Sequence, residues 1–370
     1  MMRDNFLSNL KLIVVKAGTS VFSSKAHPIE RQAITALVRQ ICAIMDEGVK
    51  VVLVSSGAIG AGMNLLQMRS RPKLLPKLQA VAAIGQSQLM KAYDEDFNAN
   101  AKMAAQVLLT RDDLENRKRY LNAKNTINSI LEYGAIPVIN ENDTVSVEEI
   151  KFGDNDTLAA LVTNLIGADL LIILSDVDGL YRDFGKGELI DTVKEVNAEI
   201  EELGRGTDKE TSVGGMTTKI RAAKMLTGSG IPVIVANGKT ENILVKIVNK
   251  EKAGTLFIPR LNKMPAKKRW IAFSAAPRGS IMVDSGATQA LSAGDKSLLP
   301  SGIIGAEGEF DAGDIILIKE ARKKVFARGL TNYSSREIEK IKGLKSKEIQ
   351  TKLGYKYYDE VIHKDNLVII

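Results

Sequence analysis

Several short stretches of this chain place residues able to handle phosphate directly after apolar runs. A lysine leaves the first such run in Lys16-Ala17-Gly18-Thr19-Ser20. A cation followed by a glycine turn and two hydroxyls offers an anionic phosphate a charge, a pliable backbone and N–H donors. A second lysine closes Val213-Gly214-Gly215-Met216-Thr217-Thr218-Lys219, where two glycines and two hydroxyls precede a helix-like segment and make a nest for polyphosphate. Between them lies Ser55-Ser56-Gly57-Ala58-Ile59-Gly60-Ala61-Gly62, small enough to let backbone approach a ligand. Two polar clusters follow, Asn140-Glu141-Asn142-Asp143 and Gly153-Asp154-Asn155-Asp156. Their amides and carboxylates suit a ligand ammonium, the orientation of lysines, or a metal. Ser175-Asp176-Val177-Asp178-Gly179-Leu180-Tyr181 completes the series. Its paired aspartates lack the closing glutamate of a calcium loop, so a turn against a nucleotide fits better.

Each fragment alone also has a plainer reading: a lysine at a strand exit, glycines that pack a helix on a sheet, a helix cap at Asp154 or Asn155. The glycine spacing is GxxGxG, and no GxxxxGK[ST] occurs, so neither a dinucleotide fingerprint nor a P-loop is supported.

These stretches must be held by regular elements. Up to residue 260, short apolar runs at 12–15, 51–54, 104–109, 136–139, 170–174 and 231–235 alternate with helix-length segments at 29–46, 77–97, 114–132, 156–166 and 216–227. Strands that are apolar throughout and separated by helices predict a mainly parallel sheet covered on both faces, a three-layer αβα sandwich of the α/β class. Ligands of such sheets lie beyond the carboxyl ends of the strands, where the motifs above fall. After residue 269 the texture changes to short β-like runs at 271–273, 279–283, 313–318 and 324–327, with one helix at 335–342. That predicts a small β-rich, barrel-like domain. The expected organisation is a first domain over 1–260, a polar and basic linker over 261–269, and a second domain over 270–370.

Composition narrows the chemistry. With 45% hydrophobic and 26% charged residues in 370, the chain is that of a globular protein. No run approaches the ~18 apolar residues of a membrane span. Asp4, Lys11 and Lys16 break up any signal-peptide core, so a cytoplasmic protein is expected. Cys42 is the single cysteine, and His27 and His363 are the two histidines. Disulfide scaffolds, cysteine zinc sites and most histidine relays are thereby excluded. The chemistry must use Lys, Asp, Asn, Ser and Gly. The net charge of +7 is concentrated late: residues 261–370 carry 19 Lys and Arg against 13 Asp and Glu.

The motifs occur in one order, at successive predicted strand ends, and that order resembles the amino acid kinase family, in particular its glutamate-phosphorylating branch. The segments VVKAGTS, SSGAIGAG, PVINENDTV, KFGDND, SDVDGLY and GGMTTK carry the resemblance. It continues through GSIMVDSGAT, SLLPSGI, GDIILI and ARGLTNYSS, which look like a PUA domain. The resemblance implies the amino acid kinase fold and ATP-dependent phosphorylation of the γ-carboxylate of L-glutamate, a step of proline biosynthesis. By the same resemblance Lys16, Lys219 and Asp156 are catalytic: Lys16 contacts ATP phosphates, Lys219 stabilises the transferring group, and Asp156 holds both lysines. Ser56, Asp143 and Asn155 match glutamate-binding positions. Lys16, Ser175, Asp176, Val213, Gly214, Gly215, Met216, Thr217, Thr218 and Lys219 match ATP-binding ones. Ser175 stands where the family commonly has Thr, and Ala17 where it usually has Leu; neither change removes a charge. Mg²⁺ is expected as the ATP chelate, without a dedicated protein metal site.

A carboxylate acceptor is already ionised at neutral pH, so no general base is needed, in keeping with the scarcity of histidine. Further implications are inhibition by proline through the loops around Asp143 and Ile150, a homo-oligomer, and hand-over of an unstable acyl phosphate to a glutamyl phosphate reductase. The nearest rival readings are a sibling kinase acting on aspartate, N-acetylglutamate, carbamate or a nucleoside monophosphate, for which Arg69 and Arg71 would matter, and an RNA-binding protein using the basic C-terminal domain. Against the latter, Trp270, Phe310, Phe326 and Tyr333 are expected in the core rather than stacked on bases.

Overall fold

The computed structural model describes residues 2–23, 29–146, 155–183, 186–205, 215–259 and 264–370. It divides into two compact units, one of residues 1–114 and 118–263, the other of 115–117 and 264–370.

Among the described residues of the first unit the strands are β1 (Leu12–Ala17), β2 (Lys50–Ser55), β3 (Ala104–Leu109), β4 (Ile136–Glu141), β5 (Leu170–Ser175), β6 (Tyr181–Asp183), β7 (Lys186–Leu189), β8 (Thr192–Val193), β9 (Val233–Asn237) and β10 (Thr255–Phe257). Eight of them form one sheet in the order β3-β4-β2-β1-β5-β9-β10-β8. The pairs from β3 through β9 are parallel. β10 runs antiparallel to β9, while β8 is parallel to β10. The chain proceeds from β1 to β2 on one side and reaches β5 on the other, so the strand order switches at β1. Open α/β sheets gather ligands at the crevice beyond such a point.

The apolar pattern explains the layering. Along β1, Ile13, Val15 and Ala17 join a core with Ile34, Leu37, Val38, Ile41 and Ile44 of the Arg31–Asp46 helix. Successive strand residues point to opposite faces, so Val14 and Lys16 face the other side of the sheet. The Asn155–Ile166 helix packs against β1, β2, β4 and β5, and the Met216–Gly228 helix packs on it in turn. Nearly every residue of the Asn155–Ile166 helix is buried, including Asp156. That alternation alone brings a lysine from β1 up against an aspartate on a helix.

The second unit holds β11 (Gly279–Val283), β12 (Ile303–Glu307), β13 (Ile315–Glu320), β14 (Val325–Leu330) and β15 (Leu367–Ile369) in the order β12-β11-β13-β14-β15. β11 and β13 are parallel, the remaining neighbours antiparallel. The Ser335–Ile341 helix starts from a capping box between Ser334 and Glu337. Phe310 and Tyr333 are core residues here, together with Phe326, as expected. Residues 271–273 are not a strand: Trp270–Ser274 is a π-helical turn with Trp270, Ile271 and Ala272 buried. A three-residue apolar run carries no periodicity able to separate a strand from a buried helical turn. Residues 264–269, read from the sequence as linker, include the short helix Ala266–Arg269, and Arg269 is itself buried with its guanidinium donating to the Met264 carbonyl at 2.8 Å.

Candidate active site

Three charged side chains meet beyond the carboxyl end of β1. The Lys16 ammonium lies 2.6 Å from Oδ1 of Asp156, and the Lys219 ammonium 3.1 Å from Oδ2 of the same carboxylate. All three are buried, with exposures of 6%, 1% and 4% for Lys16, Asp156 and Lys219. Thr218 Oγ1 donates to Asp156 Oδ2 at 2.7 Å. Lys219 and Thr218 stand in the first turn of the Met216–Gly228 helix, whose cap is Gly215 in extended conformation. Gly18 leaves room beside the first lysine: a Cβ there would sit 3.3 Å from the Lys16 ammonium.

Burial by itself would raise the pKa of Asp156. The two adjacent ammonium groups, with hydrogen bonds from Lys16 and Thr218, override it and hold the carboxyl far below the usual carboxylate range. Asp156 is therefore an anion held between two ammonium groups. Paired ammonium groups at the end of a sheet suit the phosphates of a nucleotide such as ATP. Among the described residues, no group of three or more His, Cys, Asp or Glu is placed to hold a metal ion.

One residue earlier on the same helix, Asn155 organises a second, uncharged cluster. Its Nδ2 lies 3.0 Å from the Ser55 carbonyl, 2.8 Å from Ser56 Oγ and 2.9 Å from Asn140 Oδ1. Ser55 Oγ is 2.8 Å from the hydroxyl of Tyr93, whose pKa burial pushes strongly upward. The ends of β2 and β4 and the start of the Asn155–Ile166 helix thus share one hydrogen-bond network. Tyr93 was not singled out from the sequence, and Asn140 was named there only as part of the Asn140-Glu141-Asn142-Asp143 cluster, with no role of its own. The one signal for Asn140 was a polar residue ending a buried apolar strand.

The glycines of Ser56–Gly62 divide by role. Gly57 has φ +116° at the turn out of β2, a conformation glycine takes without strain. Gly62 serves packing: a Cβ there would lie 2.0 Å from the Val81 carbonyl oxygen, and one on Gly85 1.8 Å from that of Ala58. The Ala58–Leu65 and Leu75–Ala99 helices therefore touch backbone to backbone. Gly85→Ala should destabilise the unit by at least about 1–3 kcal/mol, the range for overpacking a core. A melting temperature unchanged from the parent would show that the two helices can part freely.

The remaining predicted positions that are described fall at the same sheet end. Ser175 ends β5 and is hydrogen-bonded to Asp176 at 3.2 Å. Asp176 is exposed, Met216 buried, and Gly215 and Thr217 half-buried. Asp178 accepts from Asn237 Nδ2 at 3.0 Å and from the Tyr181 hydroxyl at 2.8 Å, which lowers its pKa. Asp143 is half-buried in the turn that follows β4. Val213, Gly214, Ile150 and Asp154 lie outside the described residues. The structure thus joins Lys16, Asp156, Thr218 and Lys219 in one cluster and Ser56 and Asn155 in its neighbour, while Asp143, Ser175 and Asp176 stand around them at the strand ends.

Paired lysines around one aspartate at the switch point of a parallel sheet are the arrangement of a phosphoryl-transfer protein of the amino acid kinase type. The model of the amino acid kinase family matches residues 11–237 and that of the PUA domain residues 279–353. The chain belongs to the amino acid kinase family, with a C-terminal PUA domain. Its curated relatives include the glutamate 5-kinase of Caldanaerobacter subterraneus subsp. tengcongensis, 50% identical over 97% of both chains. The glutamate 5-kinase of Thermoanaerobacter sp. strain X514 is 49% identical over 97% of both. That of Syntrophotalea carbinolica is 48% identical over the full length of both.

Proposed function

We propose that this protein transfers the γ-phosphoryl group of ATP to the γ-carboxylate of L-glutamate, giving L-glutamyl 5-phosphate and ADP. The observation that carries this reading is the convergence of two buried ammonium groups on one carboxylate at the mouth of the sheet. Near-full-length identity of about half to curated glutamate 5-kinases supports the acceptor.

The bond formed is between a γ-carboxylate oxygen and the phosphorus; the bond broken is the one to the ADP oxygen. The acceptor carries no proton to remove, so the protein's task is alignment and cancellation of negative charge. Lys16 neutralises the nucleotide phosphates. Lys219 meets the charge that develops on the moving group. Asp156 holds both lysines at a set separation, and its own charge is matched by theirs. Lysines suit this task as compact charges on flexible stems. Ser56 and Asn155 form the seat of the glutamate carboxylates, and Asp143 receives its ammonium. Gly215, Met216, Thr217 and Thr218, with Ser175 and Asp176, form the nucleotide seat, and Val213 and Gly214 belong to the same segment. Mg²⁺ carried by the nucleotide would supply further cationic charge, and no protein residue is assigned to hold it.

The same reading assigns residues 1–260 to catalysis and 270–370 to an accessory role, in a cytoplasmic homo-oligomer inhibited by proline. The product can cyclise through its own amine, so a reductase that consumes acyl phosphates is the expected next enzyme. Incubation with ATP, Mg²⁺ and hydroxylamine tests the acceptor, because an acyl phosphate is captured as a hydroxamate. Hydroxamate should form with glutamate and not with aspartate or N-acetylglutamate; the reverse pattern would reassign the chain to a sibling kinase.

A further inference from the structure

The neutral cluster contains a residue that no role above includes. Gln86, half-buried on the Leu75–Ala99 helix, accepts through Oε1 a hydrogen bond of 2.8 Å from Nδ2 of Asn140. The other end of the Asn140 amide, Oδ1, accepts from Asn155 Nδ2 at 2.9 Å and from the Glu141 backbone N–H at 2.9 Å. Asn140 is 3% exposed, so water has little access to replace any of these partners. A side-chain amide has one accepting end and one donating end of nearly equal shape. Only its neighbours decide which way it faces.

We propose that Gln86 is a positioning residue for the acceptor substrate: its carbonyl selects the orientation of the Asn140 amide, and through it the placement of Asn155. Were Asn140 turned over, its NH₂ would face the Glu141 N–H and the Asn155 NH₂, donor against donor. Asn155 would then lose an acceptor that its Nδ2 shares with Ser56 Oγ and the Ser55 carbonyl. Buried polar groups left without partners are costly, so the network holds together or rearranges as a whole.

The helix that carries Gln86 is well placed to enforce this. Tyr93, seven residues on and so on the same helix face, reaches Ser55 by a 2.8 Å hydrogen bond. The backbone contact allowed by Gly62 and Gly85 brings the segment around Gln86 close to the strand ends. One helix face therefore holds both β2 and β4 where they flank Asn155. Gln86 makes no contact with Lys16, Asp156 or Lys219 among the hydrogen bonds and ion pairs described above, so its influence should fall on the acceptor and not on the nucleotide.

This inference rests on the reading of Ser56 and Asn155 as the glutamate seat, and the test separates the two. Gln86→Met keeps the length and removes the acceptor; Gln86→Glu keeps an acceptor oxygen. Steady-state hydroxamate formation is measured for the parent and both variants against glutamate and against ATP. Gln86→Met should raise KM for glutamate roughly tenfold, as loss of a buried hydrogen bond implies, with KM for ATP and kcat within about twofold of the parent. Gln86→Glu should return KM for glutamate most of the way to the parent value. A Gln86→Met enzyme with unaltered KM for glutamate, or Met and Glu variants equally impaired, would overturn the positioning role. A parent enzyme that forms no glutamyl hydroxamate would instead overturn the functional reading beneath it.

Discussion

Replacement of Lys219 by alanine should lower kcat by about 10²–10³-fold, the loss usual when one preorganised charge facing a developing anion is removed. What matters is where the Lys219 ammonium sits. It is buried, 3.1 Å from Asp156 and 3.5 Å from the Gly215 carbonyl, at the opening turn of a helix. Its position is thus set before any ligand arrives, and no reorganisation is needed during transfer. None of the hydrogen bonds or ion pairs described for Lys219 joins it to Ser56 or Asn155, so KM for glutamate should change little. A loss confined to kcat marks an interaction made in the transition state. Asp156 retains Lys16 in this variant, so the fold should survive, which circular dichroism and the melting temperature can check. Turnover equal to the parent would remove Lys219 from the mechanism.

Asp156→Asn should be damaging in a different way. It neutralises the carboxylate that lies 2.6 Å from one buried ammonium group and 3.1 Å from another. Removing one partner of a buried ion pair destabilises by about 3–5 kcal/mol, and here two such pairs are broken at once. Activity should fall with stability, because neither lysine is then held. The same carboxylate dictates an acid limb. Its pKa is depressed in the folded state, so its contribution is complete above the unfolded value of about 4 and fades as pH falls below it. Chemical denaturation of the parent between neutral pH and pH 3 should show that loss, and Asp156→Asn should lose less over the same interval. An identical acid limb in both proteins would mean that Asp156 is not the group responsible.

How much of this was legible beforehand depends on the distance over which each residue acts. The sheet was readable because β1, β2, β4 and β5 are apolar runs bounded by polar turns, and helix and strand periods differ. Lys16 was readable as well, since a lysine ending a buried run has to face something. Its partnership with Asp156 and Lys219 was not readable from local pattern. Those residues are far apart in sequence, and only the order of the motifs, compared with a known family, implied the meeting. Gln86 was missed for a related reason, and Asn140 was read only as one member of a polar cluster. Gln86 sits in an amphipathic helix where a glutamine looks like surface, and only the sheet end opposite it gives it work. Gly62 was read as allowing either close approach to a ligand or packing of a helix on a sheet, and it packs helix against helix. Residues 271–273 were too short a run to betray a helical turn. The edge strand β8 and its neighbour β10, with two and three residues, left no pattern to read.

Asn155 and Asp156 are successive residues, so the origins of the two clusters are separated by one peptide unit, about 3.8 Å between Cα atoms. The helix that they open is buried through every residue from Leu158 to Leu165. Such an element behaves as a gauge block: neither cluster can slide or tilt without carrying the other along. On the proposed assignment of Asn155 to the acceptor side and Asp156 to the donor side, the spacing of the two ligands is inherited from the covalent chain itself.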